Sequence, residues 1–199
     1  MKKGSENADI FVFVARFPYP VDNEKIVPPE RAEEIESCSN AKARNEKFYA
    51  WKLLEEALLR TFGLRLDGLD IKRTESGKWV CTECFFSLSH SGNLVAVAVS
   101  KIPVGVDIER RDLPRFTPVL AEKITTGRER GDLSAQTLNA LWTKKEAIFK
   151  LSGGKAFIPK NIETADYSTV TKFFDCDGEG YFISVASESA EKAVFYGLN

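Results

Sequence analysis

The chain has 199 residues, 43% hydrophobic and 29% charged, with a formal net charge of −1. That length and apolar share allow one large domain or two small ones around a sizeable core. The near-neutral balance speaks against a nucleic-acid binder, which ordinarily carries a strong basic excess. Lys2 and Lys3 precede a short apolar run that begins at Ile10 and is closed by Arg16. The run is too short to span a bilayer and makes a poor signal peptide, so a soluble, cytoplasmic protein without a membrane partner is expected. Of Cys38, Cys81, Cys84 and Cys176, only Cys81 and Cys84 form a CxxC, and no second pair completes a zinc site. The pair leads into Phe85-Phe86 rather than a helix start, so reduced thiols are expected.

Residues 10–17 read as a first strand, stopped by Pro18-Tyr19-Pro20. Pro28-Pro29 opens a short helix containing Arg31, Ala32 and Ile35. In residues 41–62, Phe48, Trp51, Leu54, Leu58 and Phe62 recur at helical spacing and make one apolar face, which Gly63 closes. Residues 71–74 and 78–81 suit a hairpin around Glu75-Ser76-Gly77. Three apolar runs follow, 85–88, 94–100 and 104–108, the first two joined by a turn at His90-Ser91-Gly92-Asn93. A loop with a helical piece occupies 114–125. A helix runs from Ser134, a good N-cap, through residue 151, and Gly153-Gly154 stops it. Strands near 169–175, 181–186 and 193–196 complete an α+β chain, with a hairpin turn at Asp177-Gly178-Glu179-Gly180. Each half has one long helix and a few strands, and the break falls near Ser100.

Three segments carry candidate chemistry. In Val104-Gly105-Val106-Asp107-Ile108-Glu109 the alternation of a strand puts Gly105, Asp107 and Glu109 on one face. Carboxylates at i and i+2 lie about 6.5–7 Å apart, close enough to share one cation and mutually repulsive without it. Gly105 would leave room for a ligand beside them. A solvent-facing strand end would carry the same residues. In Trp142-Thr143-Lys144-Lys145-Glu146-Ala147-Ile148-Phe149-Lys150, Glu146 and Lys150 share a helix face. They could serve a metal and a phosphate, or form an ordinary surface ion pair. In Phe86-Ser87-Leu88-Ser89-His90-Ser91-Gly92 the chain's single histidine sits among serines, in a turn that could offer donors to an anion. A serine hydrolase is poorly matched, because no GxSxG elbow is present and Ser89 and His90 point to opposite faces.

The three segments in this order resemble the 4′-phosphopantetheinyl transferases of the surfactin-synthetase-activating type. That family has a SHSG turn, a G-[IV]-D-[IVL]-E strand and a W-x-x-K-E-[AS]-x-x-K helix, and every charged position of the three motifs is present. The resemblance implies two similar α/β halves forming an internal pseudo-dimer, with coenzyme A in the cleft between them and a functional monomer. Residues 1–100 would contact coenzyme A phosphates; residues 101–199 would hold the metal and dock the carrier. It implies Mg²⁺ on Asp107, Glu109 and Glu146, and Lys150 stabilising charge on the pyrophosphate. It implies Arg44, Lys78, Ser89, His90 and Lys150 around coenzyme A. Glu146 would be the base for the serine proton, directly or through water. Trp79 follows Lys78 where the family usually has proline, and Glu129 falls near a family glutamate.

The implied reaction transfers the 4′-phosphopantetheine arm of coenzyme A to a serine of an acyl or peptidyl carrier protein, in fatty-acid, polyketide or peptide synthesis. The carrier would face the basic stretch Arg110, Arg111, Arg115, Lys123, Arg128 and Arg130. Two other readings stay open: another Mg²⁺-dependent phosphotransferase or nucleotide hydrolase, and a non-catalytic module that binds coenzyme A or a carrier.

Overall fold

The first strand, β1 (Ile10–Arg16), lies in the middle of a four-stranded sheet. The computed structural model describes residues 9–21, 24–129, 131 and 134–197; Lys2, Lys3 and Arg130, named above, lie outside the described residues. After α1 (Pro29–Glu36) comes the long helix α2 (Ala41–Phe62), capped by the Asn40 side chain, which accepts from the Ala43 N–H, and ended at Gly63. The small hairpin β2 (Ile71–Arg73) and β3 (Trp79–Cys81) follows. Next are β4 (Phe85–Ser91), β5 (Leu94–Ser100) and β6 (Gly105–Arg110). The C-terminal part contains α3 (Pro118–Ile124), α4 (Ala135–Ser152), β7 (Thr169–Cys176), β8 (Glu179–Ala186) and β9 (Val194–Tyr196). The architecture is α+β, as expected.

One sheet has the order β4-β5-β1-β9, and a second has the order β6-β8-β7. The chain is layered. On the outer face of the first sheet, Trp51, Leu54 and Leu58 of α2 pack on Phe13, Phe86, Val95 and Val97. On its inner face, Val12, Val14, Ala96 and Ala98 meet Val106, Ile108, Tyr181 and Ile183 of the second sheet. Ala147 and Ile148 of α4 pack on the far side of that sheet. Strand β5 is buried along its whole length, which explains why its sequence is a continuous apolar run rather than an alternation.

Two expectations need correction. The segment read as a turn at His90-Ser91-Gly92-Asn93 is mostly strand: β4 continues to Ser91 and pairs Ser89, His90 and Ser91 with Ala96, Val95 and Leu94. Only Gly92 and Asn93 turn, with Gly92 at φ 61°, a conformation suited to glycine. Serine and histidine next to glycine look like loop residues; tertiary pairing with the apolar β5 overrides that preference. The second correction concerns Gly105. A Cβ there would run into the Ala147 carbonyl oxygen and come within 2.6 Å of the Leu151 nitrogen. The missing side chain therefore admits the backbone of α4, not a ligand.

Candidate active site

Strands β4 and β6 are both sheet edges and run side by side in the same direction, yet they are joined by side chains. Ser87 Oγ accepts from the Val106 N–H at 3.0 Å, Ser89 Oγ from the Ile108 N–H at 3.2 Å, and Ser91 Oγ from the Arg110 N–H at 2.9 Å. Two of these hydroxyls also donate to carboxylates of β6: Ser89 to Asp107 Oδ1 at 2.7 Å and Ser91 to Glu109 Oε2 at 3.0 Å. This serine ladder turns the Asp107 side chain to the junction of the two sheets and holds it there. Ser89 is 6% exposed, and its hydroxyl is engaged as both donor and acceptor.

Asp107 is only 2% exposed, which removes the solvent-facing strand end as a description of this segment. Lys150 Nζ of α4 donates to Asp107 Oδ1 at 2.7 Å. Lys150 thus reaches across to β6, and among the described residues it forms no ion pair with Glu146. Asp107 Oδ2 is buried and has no donor among the described residues. Glu146 stands against Asp107: burial first, then the Asp107 and Glu109 charges, raise its pKa to about 7, with Lys150 opposing. Glu109 is also raised by burial and by Asp107, while its bond from Ser91 and the Arg115 and Lys150 charges pull the other way. Arg115 approaches Glu109 Oε1 at 3.6 Å and lies over the Trp142 ring.

Glu109 and Glu146, each raised in part by the Asp107 charge, form with Asp107 a site that favours added positive charge. Among the described residues no group of three His, Cys, Asp or Glu side chains is arranged as a ready metal cage. Mg²⁺ does not require one, since it retains waters and often binds through one or two carboxylates plus substrate phosphates. The orphaned Asp107 Oδ2, with Glu146 facing it, fits such an ion.

A cleft of about 270 Å³ borders Lys150. Ser76, Gly77, Lys78 and Trp79 form one wall, Phe86 and Leu88 of β4 a second, and Phe149 with Gly153-Gly154 a third. Lys78 Nζ donates to the Lys150 carbonyl oxygen at 2.6 Å, and burial lowers its pKa. Trp79 begins β3 and packs edge-on against Trp51, with Nε1 donating to Glu34 at 3.3 Å. His90 lies on the opposite face of β4 from Ser89, with Nδ1 3.4 Å from Glu46 Oε2 of α2. Burial lowers the His90 pKa, assisted by Lys150 and Lys42 and opposed by Glu46 and Asp107. Arg44 is exposed on the first turns of α2 and makes no side-chain hydrogen bond or ion pair among the described residues.

Sequence reasoning missed the part played by Lys145 and Glu129. Lys145 is fully buried and meets Glu129 Oε2 at 2.6 Å, the Ile162 carbonyl at 2.6 Å and the Pro159 carbonyl at 3.0 Å. Glu129 also accepts from the N–H groups of Thr126 and Thr164. This knot fastens α4 to the segments on either side of it. The only signal was position: Lys145 immediately precedes Glu146 and so must point away from the site. In the basic stretch, Arg110 pairs with Glu179 and Arg128 with Asp166, while Arg111 covers the Phe173 ring.

Residues 103–195 match the family model described as the 4′-phosphopantetheinyl transferase superfamily. Among curated proteins, the chain is 33% identical over 116 residues to the 4′-phosphopantetheinyl transferase psf-1 of Bacillus pumilus, covering 51% of this chain and 49% of that protein. It is 30% identical over 117 residues to the 4′-phosphopantetheinyl transferase gsp of Aneurinibacillus migulanus, covering 55% and 48%. A 4′-phosphopantetheinyl transferase of Bacillus subtilis is 28% identical over 117 residues, covering 54% and 51%. The chain spans about half the length of these curated relatives. The superfamily match includes Asp107, Glu109, Glu146 and Lys150; Arg44, Lys78, Ser89 and His90 lie before it. No helix among the described residues is long and apolar enough to cross a membrane.

Proposed function

We propose that the chain transfers the 4′-phosphopantetheine arm of coenzyme A to a serine of an acyl or peptidyl carrier protein and releases 3′,5′-ADP. The observation that carries the reading is the convergence of Asp107, Glu146 and Lys150, one strand and one helix, at the mouth of the cleft beside Lys78. The relatives' names support the same reading. Coenzyme A lies in the cleft between residues 1–100 and 101–199, which form two halves of an internal pseudo-dimer. Each half has one long helix on one sheet, and this supports that view. The protein acts in the cytoplasm as a monomer.

Asp107, Glu109 and Glu146 would hold Mg²⁺, which when bound would supply charge neutralisation for the pyrophosphate. Lys150 adds positive charge there, which requires it to exchange its bond to Asp107 for one to phosphate. Lys78 keeps two N–H donors beyond the one given to the Lys150 carbonyl, and these face coenzyme A phosphate. His90 and Arg44 serve the nucleotide phosphates, the 3′-phosphate included. Ser89 acts indirectly, by positioning Asp107, because its hydroxyl is already committed to β6. In the transfer the carrier serine oxygen bonds to the phosphorus bearing pantetheine, the bond from that phosphorus to 3′,5′-ADP breaks, and Glu146 takes the serine proton through a water.

Mass spectrometry of an apo-carrier incubated with the protein, coenzyme A and Mg²⁺ tests the reading. Addition of the phosphopantetheine arm is the expected result. Nucleotide breakdown without modification would assign the site to a hydrolase, and neither product would leave a binding module.

A further inference from the structure

Cys81 and Cys84 flank Thr82-Glu83 in the connection from β3 to β4. Both are free thiols, and their Sγ atoms are 3.3 Å apart. Cys81 Sγ also lies 3.1 Å from the Cys84 carbonyl oxygen. A disulfide needs about 2.05 Å between sulfurs, so closure asks for little more than about an ångström of travel. Among the described residues no further ligands complete a metal site with them. The two thiols differ in access: Cys81 is half-buried and Cys84 is 3% exposed. They differ electrostatically as well. The hydrogen bond from the Cys84 thiol, with the Cys84 and Glu83 backbone N–H groups, draws Cys81 down to about 7, whereas the shared hydrogen bond and burial push Cys84 up. One sulfur is therefore suited to attack and the other to resolve. A cavity of about 260 Å³, lined by Lys78, Trp79, Cys81, Cys84, Phe86 and Leu151 among others, lets a small molecule reach the pair.

We propose that Cys81 and Cys84 are a reversible dithiol–disulfide pair that staples β3 to β4 beside the cleft, with Cys81 as the attacking sulfur and a low-molecular-weight disulfide as the oxidant. The Cys81 thiolate attacks one sulfur of the oxidant, forms a mixed disulfide and releases one thiolate, which takes up a proton. The Cys84 thiol then loses its proton to solvent and attacks Cys81 Sγ, expelling the second small thiolate, which is protonated in turn. Two protein thiols are oxidised and one small disulfide is reduced to two thiols. The staple lies between Lys78-Trp79 and Phe86, which face one another across the cleft, so oxidation fixes one wall against the other. The chemistry does not depend on the transfer reaction.

The test equilibrates the whole protein with graded mixtures of reduced and oxidised glutathione, quenches with acid, alkylates open thiols and maps the peptides. Cys81 and Cys84 should lose alkylation together, in a peptide lighter by two hydrogens, while Cys38 and Cys176 stay labelled. Cys84→Ser should stop at a glutathione adduct on Cys81, and Cys81→Ser should give no adduct on Cys84. The proposal is overturned if Cys81 and Cys84 label as readily as Cys38 in every mixture, or if the adduct forms on Cys84 in preference.

Discussion

Replacing the three ladder serines by alanine, one at a time, removes a single oxygen from each and leaves almost no cavity, so the cost reports the hydrogen bonds alone. Ser87→Ala strips the buried Val106 N–H of its acceptor, a loss of about 1–3 kcal/mol. Ser89→Ala does the same to the Ile108 N–H and also removes the 2.7 Å bond to the Asp107 carboxylate, so about 3–4 kcal/mol is expected. Ser91 is partly exposed and water can replace it at the Arg110 N–H; its loss should cost about 1 kcal/mol or less. Urea unfolding with an unchanged m-value measures each difference. The order Ser89, then Ser87, then Ser91 is the prediction. A Ser91→Ala variant as damaged as Ser89→Ala, or three variants within about 0.5 kcal/mol of the parent protein, would show that water already wets the seam and would refute the ladder as the element joining β4 to β6.

Asp107→Ala should lower arm transfer to a carrier by about 100-fold or more while the protein stays folded; full activity in a carrier-modification assay would sink the assignment. Lys145→Ala leaves Glu129 and two carbonyls buried without their cation, so about 3–5 kcal/mol should be lost in urea unfolding, and a loss below about 1 kcal/mol would contradict that. Gly105→Ala should push α4 off β6 and cost about 1–3 kcal/mol; an unchanged melting temperature would refute the close approach. For Glu34 burial is outweighed by hydrogen bonds from Lys47 and Arg31, which hold its pKa at about 2, below the ordinary 4.5. The unfolded chain then binds more protons in that window, so stability present above pH 4.5 is lost as pH falls towards 2. The amount is about 2–3 kcal/mol, and Glu34→Gln should flatten the acid limb of a stability-versus-pH curve; identical limbs would refute it.

Most of the fold could be read from local pattern. The apolar face of α2, the helix stops at Gly63 and Gly153, and the continuous apolar β5 each follow from periodicity or chain-breaking chemistry within a few residues. The failures lie where residues far apart in sequence decide the outcome. Ser87, Ser89 and Ser91 alternate as strand residues do, but three serines and a histidine before Gly92 have weak strand propensity, and only pairing with β5 and the amides of β6 makes them a strand. Gly105 reads as room for a ligand because nothing nearby in the chain announces the Ala147 carbonyl. The charged residues of the site were visible from spacing and resemblance. Their present partners were not: Lys150 with Asp107, Glu109 with Arg115, and Lys145 with Glu129 are each made across elements.

The serine ladder also bears on how the protein behaves in crowded solution. An open sheet edge is a template on which a second chain can add a strand, and many proteins blunt such edges with charge, proline or a covering loop. Here the N–H groups of Val106, Ile108 and Arg110 are occupied by hydroxyls from the same molecule. A neighbouring copy finds no unfilled row of donors at β6, so the seam that positions Asp107 also closes this edge to strand addition.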